Sequence, residues 1–172
     1  MFKHFLPDRQ INSYGELTPE ALSALGVRLL ITDIDNTLVP YGDAVPTDEV
    51  RRWIDGMRRA GIDVALLSNN GAERVELFNA GLGLFAMPKS KKPGKKAVLR
   101  VIEHFGASKE TTALLGDQLF TDVLCGKRAG VYTVLTERIN DEENRFIKFK
   151  RLCEIPIRRA LGLNVKKRRH KV

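Results

Sequence analysis

The chain has 172 residues, 43% of them apolar, which suits a single globular domain. No apolar stretch approaches the roughly 20 residues that cross a bilayer, and the N-terminus has no apolar leader core, so neither a membrane-spanning nor a secreted protein is expected. The formal charge of +8 is uneven: residues 145–172 carry eleven Lys/Arg against Glu154 alone, a net +10, while positions 1–144 carry −2. Basicity therefore belongs to the tail and not to the fold.

In chain order, a loop runs to Gly15, and Thr18-Pro19 then pairs an N-cap with a proline at the first helical position of a short helix closed by Gly26. Val27, Leu29, Leu30 and Ile31 form a short branched run that reads as a buried parallel strand ending at Asp33. Thr47 caps the next helix, where Val50, Trp53, Ile54 and Met57 recur at helical spacing before Gly61. Ile62 to Leu67 is a second strand, ending in Ser68-Asn69-Asn70, and a helix from about Ala72 carries Val75, Leu77, Phe78 and Ala80. Phe85-Ala86-Met87 forms a short third strand, and Pro93-Gly94 opens a helix with Val98, Val101, Ile102 and Phe105. Thr112 to Leu115 is the fourth strand and ends in Gly116-Asp117. A helix across Val123 to Ala129 closes at Gly130, and Val131 to Leu135 is the fifth strand. Strands alternating with helices predict an α/β protein of three layers, Rossmann-like, with a central parallel five-stranded sheet covered on both faces.

In a parallel sheet the strand ends share one edge, so their polar groups converge there. The first strand delivers Asp33 and Asp35, the second Ser68 and Asn69, and the fourth Asp117 with Asp122 five positions on; Lys91 and Lys92 follow the third. Two carboxylates cannot stay buried without a partner, so Asp33 and Asp35 belong at the strand mouth, where open α/β sheets bind ligands. The set suits phosphoryl transfer. Magnesium takes hard carboxylate oxygens, a carboxylate can attack phosphorus, and a lysine and a hydroxyl can hold the charged phosphoryl oxygens. A second carboxylate can protonate the leaving oxygen and later activate water. A phosphoacceptor receiver domain uses similar residue types. There the acceptor aspartate follows the third strand and the lysine the fifth, an order this chain does not have.

Asp33-Ile34-Asp35-Asn36-Thr37, Ser68-Asn69, Lys92-Pro93 and Gly116-Asp117-Gln118-Leu119-Phe120-Thr121-Asp122 resemble, in order, the four motifs of the haloacid dehalogenase (HAD) superfamily. The resemblance implies that Asp33 is the nucleophile, forming an aspartyl-phosphate, and Asp35 the general acid/base. It also implies that Ser68, Asn69 and Lys92 bind the phosphate and that Asp33, Asp35 and Asp117 hold Mg2+, Asp35 through its backbone carbonyl. Thr37 and Asp122 have supporting roles, Asp122 orienting the lysine in related phosphatases. Aspartate at position 35 favours a phosphatase over dehalogenase or ATPase relatives.

The 35 positions from Asp33 to Ser68 and the 24 from Ser68 to Lys92 are filled by the sheet's own elements, leaving no room for a cap domain. Capless members resemble subfamily IIIA, which acts on large or surface-bound phosphates or shields its site by forming a homo-oligomer. Phe5-Leu6-Pro7-Asp8, Leu17-Thr18-Pro19-Glu20-Ala21-Leu22 and Asp35-Asn36-Thr37-Leu38 are similar to the YqeG-type and phosphatidylglycerophosphate phosphatases. That likeness implies phosphatidylglycerophosphate as the phosphorylated substrate. Phosphatases of other soluble or macromolecular phosphates are the alternative.

The domain is expected over residues 1–144, with a basic helix and tail over 145–172. Phe146, Phe149 and Leu152 follow helical spacing among Arg145, Lys148, Lys150 and Arg151 until Pro156 interrupts; Ile157, Leu161 and Leu163 continue the apolar side. Such a segment fits an anionic membrane surface, a helix packed on the domain with a solvated run at Lys166 to Lys171, or RNA or ribosome contact. A scaffold acting through the tail is the non-enzymatic reading. Cys125 and Cys153 lack metal-site spacing and are too few for a disulfide framework. They suit a cytoplasmic protein, peripheral to the inner face of the membrane if the tail binds lipid. His4, His104 and His170 show no ligand spacing.

Overall fold

In a computed structural model that describes residues 2–163, the strands are β1 (Arg9–Ile11), β2 (Leu29–Thr32), β3 (Asp63–Leu67), β4 (Phe85–Met87), β5 (Thr112–Gly116) and β6 (Tyr132–Thr136). The helices are α1 (Pro19–Ala24), α2 (Asp48–Arg59), α3 (Ala72–Asn79), α4 (Lys96–His104), α5 (Leu124–Ala129) and α6 (Arg145–Ala160). All strand pairs are parallel, in the order β1-β6-β5-β2-β3-β4.

The period-two alternation of β2 and β3 builds both layers. Leu30, Val64 and Leu66 pack with Val50, Ile54 and Met57 of α2 and with Val75 and Phe78 of α3. Leu29, Ile31, Ala65 and Leu67 face the other way, onto Val98, Val101 and Ile102 of α4 and Cys125 and Ala129 of α5. Each fully buried Val, Leu, Ile, Met or Phe among them contributes about 1.5–3 kcal/mol. The expected caps form: the Thr18 side chain accepts from Ala21 N and that of Thr47 from Val50 N. α5 ends on Gly130, whose φ of 79° is the left-handed C-terminal conformation.

The sheet has six strands rather than the expected five. β1 lies inside what reads as an N-terminal loop, with Arg9, Gln10 and Ile11 paired to Val134, Leu135 and Thr136. Three residues with one buried apolar side chain carry no periodicity to recognise. Its pairing is fixed from outside, because the Asp8 carboxylate accepts from Thr133 N (2.7 Å) and Thr133 Oγ1 (2.8 Å).

Pro156 does not interrupt the last helix; α6 runs through it. Proline inside a helix costs about 3 kcal/mol, offset here by buried ionic anchors on both sides of it. Arg151, Glu154 and Arg158 are only 9%, 1% and 7% exposed, whereas Phe146, Phe149 and Leu152 are 69%, 62% and 63% exposed. The helix thus packs on the domain through its charged side. Ile157, and Leu163 beyond the helix end, join Leu119, Val123 and Leu135. The run Lys166 to Lys171 lies outside the described residues.

No cap domain is present among the described residues, and no helix there is long and apolar enough to cross a membrane.

Candidate active site

β2 is flanked by β3 on one side and β5 on the other, so the chain order reverses direction beside it. That switch point is where open α/β sheets form a ligand crevice. Asp33 follows β2, Ser68 follows β3 and Asp117 follows β5, while a loop after β4 brings in Lys92. The cleft they form is lined by Asp33, Asp35, Ser68, Asn69 and Lys92 from the expected set, and also by Tyr41, Asn70, Gln118, Thr121, Glu143, Ile147 and Lys150.

Lys92 is the electrostatic centre. Its Nζ lies 2.7 Å from Asp33 Oδ1 and 2.7 Å from Asp122 Oδ1, and donates to Leu67 O at 2.8 Å. Burial alone would lower the ammonium, but Asp122 and Asp33 outweigh it and hold Lys92 above its ordinary value. Lys91 is exposed, so of the two lysines Lys92 enters the cluster. Asn69 clasps its loop: Asn69 Oδ1 accepts from Lys92 N and Ser90 Oγ, both at 2.8 Å, and Asn69 Nδ2 donates to Lys92 O at 3.1 Å. Ser68 is buried, its Oγ accepting from Asn70 N at 3.1 Å.

Asp35 faces a separate set of donors. Its Oδ1 accepts from Arg74 Nη2 at 2.9 Å and its Oδ2 from Asn70 Nδ2 at 2.7 Å. Thr37 Oγ1 donates to Asp117 Oδ1 at 3.5 Å, a marginal contact. Asp122 Oδ2 accepts from Gln118 N at 3.1 Å and Thr121 Oγ1 at 3.3 Å. These residues lie in a single π-helical turn, Leu119–Val123, and just before it.

Asp33, Asp117 and Asp122 are all buried and offer carboxylate oxygens within 4.8 Å of one another. Burial pushes the Asp33 carboxyl up to about 8; Lys92 opposes that rise, and Asp122 and Asp117 add to it. Three crowded acids of this kind are the hard-oxygen donor set a divalent cation takes, so the residues fit one.

Arg151 of α6 reaches the same cluster. Its Nη2 ion-pairs with Asp117 Oδ2, and its Nη1 donates to Asp117 O at 3.0 Å. Its Nε donates to both oxygens of Glu143, at 3.0 and 3.1 Å. Burial would lower the guanidinium, but Asp117 and Glu143 outweigh it, so Arg151 is firmly charged. Arg74, Asn70, Glu143 and Arg151 are the site groups that motif reading passes over. Arg74 had a faint signal, opening the helix just after Ser68-Asn69-Asn70. Arg151 had none, being one of eleven basic residues in the tail. Cys125 is buried in the core, its thiol pushed up to about 11 chiefly by that burial, as expected of a thiol without a catalytic role.

Comparison with known proteins agrees with this geometry. The HAD-hydrolase-like family model matches residues 90–144. The probable phosphatase YqeG of Bacillus subtilis (strain 168) is 38% identical over 159 residues, covering 92% of each chain. The chain belongs to the haloacid dehalogenase superfamily. It is a HAD-type phosphatase. Phosphatidylglycerophosphate phosphatase 1, chloroplastic/mitochondrial, of Arabidopsis thaliana is 30% identical over 153 residues, 83% of this chain, which spans only 43% of that protein. The HAD fold recurs in the cobalt-bound deoxy-D-mannose-octulosonate 8-phosphate phosphatase YrbI of Haemophilus influenzae. That structure has a TM-score of 0.51 and 21% identity, over 80% of this chain and 91% of the other.

Proposed function

We propose that this HAD phosphatase hydrolyses phosphomonoesters through an aspartyl-phosphate on Asp33, with Mg2+ as its cation. The observation that carries the reading is the cluster of Asp33, Asp117 and Asp122 within 4.8 Å at the carboxyl edge of the sheet, with Lys92 on Asp33. Asp33 and Asp117 would hold the ion, joined by the Asp35 backbone carbonyl. When bound, the ion supplies positive charge against the phosphoryl oxygens. Asp122, engaged by Lys92, orients that lysine.

Asp33 attacks phosphorus as the ester P–O bond breaks, and the leaving oxygen takes a proton from Asp35. Water then attacks the phosphorus, giving its proton to Asp35, and the Asp33–phosphorus bond breaks to release phosphate. Ser68, Asn69 and Lys92 hold the transferring group, Asn69 partly by fastening the Lys92 loop. Thr37 supports Asp117. Arg74 and Asn70 hold Asp35 at a fixed orientation, which such proton transfers need.

The substrate we favour is a phosphate presented at a membrane surface, phosphatidylglycerophosphate in particular, as in subfamily IIIA relatives acting on large phosphates. Support comes from the activity named for the Arabidopsis relative, from a cleft with no cap domain over it among the described residues, and from α6. That helix lines the cleft with Ile147 and Lys150 while showing Phe146, Phe149 and Leu152 to solvent. On this reading residues 1–144 are the catalytic domain, and 145–172 bring it to an anionic surface on the cytoplasmic side.

The test is phosphate release from phosphatidylglycerophosphate in vesicles and from a soluble phosphomonoester, with Mg2+ and with chelator. Turnover should need the cation, and Asp33→Asn should abolish it without lowering the melting temperature. Wild-type turnover in Asp33→Asn would overturn the nucleophile assignment. Equal kcat/KM for the lipid and the soluble ester would overturn the substrate reading.

A further inference from the structure

α6 is inverted relative to an ordinary surface helix, because its buried side is ionic and its exposed side aromatic. The centre of the buried side is Arg151, and its guanidinium serves two carboxylates at once. Asp117, one of them, belongs to the acidic cluster; Glu143, the other, does not. Glu143 is held for this role: it accepts from Arg151 Nη2 at 2.5 Å and from Asn36 Nδ2 at 2.7 Å. Burial pushes its carboxyl up, but the bonds from Arg151 and Asn36 outweigh that and keep it below the usual range. Glu143 is therefore an anion that does not depend on the cluster.

Arginine cannot shed its proton, so Arg151 has to be neutralised wherever it sits. A guanidinium on Asp117 Oδ2 and a divalent cation on the same carboxylate repel each other across a few ångströms of buried space, where screening is weak. Asp117 has to divide its charge between them. The five donors of the guanidinium fork let Arg151 give up Asp117 Oδ2 while keeping both oxygens of Glu143. The Asp117 backbone carbonyl still accepts from Arg151 Nη1 and from Arg158 Nη2 at 3.2 Å, so the helix stays moored during the exchange.

Resting on the reading of Asp33 and Asp117 as metal ligands, we propose that Arg151 is the resident counter-ion of Asp117, and that it withdraws onto Glu143 when Asp117 takes a divalent cation. Metal loading and the seating of α6 are then thermodynamically linked, and the linkage is reciprocal. Arg151 is a positioning residue in this scheme, tuning how tightly the acidic cluster binds its ion and offsetting the charge of Asp117 without one.

The test is calorimetric titration of the full chain with magnesium chloride, without substrate. Arg151→Gln removes the competitor and should bind Mg2+ more tightly, on the order of tenfold, the scale on which groups behind metal ligands act. Glu143→Gln leaves Asp117 as the one carboxylate ion-paired with Arg151 among the described residues and should bind Mg2+ more weakly by a similar factor. Opposite signs are the signature, since a merely structural role would weaken binding in both. Unchanged or weakened affinity in folded Arg151→Gln overturns the proposal. If that variant does not fold, Glu143→Gln decides alone, and unchanged or tighter affinity there overturns it. A wild-type chain that takes up no Mg2+ overturns the metal-site reading and the proposal with it. Equal binding by wild type and both variants overturns only the proposal.

Discussion

Gly116 and Asp122 occupy one space: a Cβ on Gly116 would stand 2.3 Å from the Cβ of Asp122 and 2.6 Å from its Oδ2. Asp122 in turn holds Lys92. The glycine before Asp117 is therefore a packing requirement of the acid that orients the lysine. Gly116→Ala should destabilise the protein by about 1–3 kcal/mol through overpacking. It should also lower kcat, because Asp122 has to move off Lys92. Denaturant unfolding and steady-state kinetics check this, and a stable variant of wild-type kcat contradicts it.

Lys92 is the only cation within bonding distance of Asp33 among the described residues. Lys92→Met keeps the length of the side chain and removes its charge, leaving Asp33 and Asp122 without a counter-ion. Breaking a buried pair from one side costs about 3–5 kcal/mol, so the melting temperature measured in chelator should fall. With Mg2+ present, kcat should fall by about 10²–10³, the scale of a lost donor to a developing charge. Lys91→Met, on an exposed side chain, should leave both quantities within error, and the pair of variants separates the two lysines.

The parallel α/β order, the helix caps and the convergence of Asp33, Ser68, Lys92 and Asp117 were legible because each rests on a local signal. Apolar period and strand-end polarity are written in consecutive residues. β1 was not legible, since three residues paired through Asp8 to Thr133 contain no pattern of their own. The role of α6 was hidden for a different reason. Arg145, Lys148, Lys150 and Arg151 look alike in a charge run, and only the distance to Asp117 and Glu143 separates Arg151 from the rest. Helical spacing marked Phe146, Phe149 and Leu152 as one face, but spacing does not say which face turns inward. Here ionic partners in the domain decided it, with Glu154 accepting from Phe120 N at 3.0 Å.

Glu154 gives a pH dependence of stability. Burial, opposed by the Phe120 N–H, Arg151 and Arg158 and aided by the nearby Asp117, raises its carboxyl to about 7 from an ordinary 4.5. Between those values the folded chain holds a proton the unfolded chain has lost, so this group's contribution to stability falls as pH rises. Glu154→Gln removes the titration. The stability difference, variant minus wild type, should therefore grow more favourable from about pH 4.5 to 7 and level off above, as measured by unfolding at a series of pH values in chelator. A difference that is flat across this window excludes the assignment.

The outward face of α6 yields the last expectation. Phe146 and Phe149 are largely exposed, and Lys150 Nζ lies 5.0 Å from the Phe146 ring centroid, so apolar and cationic groups share one surface. Seating each ring in a bilayer interface should contribute about 1 kcal/mol, part of what full burial of a phenylalanine supplies. Changing both to serine should weaken binding to phosphatidylglycerol vesicles about 30-fold, at 1.4 kcal/mol per tenfold. Neither ring is among the residues lining the cleft, so turnover of a soluble phosphomonoester should be unchanged. Co-sedimentation with vesicles, repeated at high salt and with neutral phosphatidylcholine, separates ring insertion from basic-residue attraction. Salt should weaken both proteins alike, because it screens the cations the two share. Vesicle binding by the double variant equal to wild type would exclude ring insertion and leave any membrane contact to the basic residues.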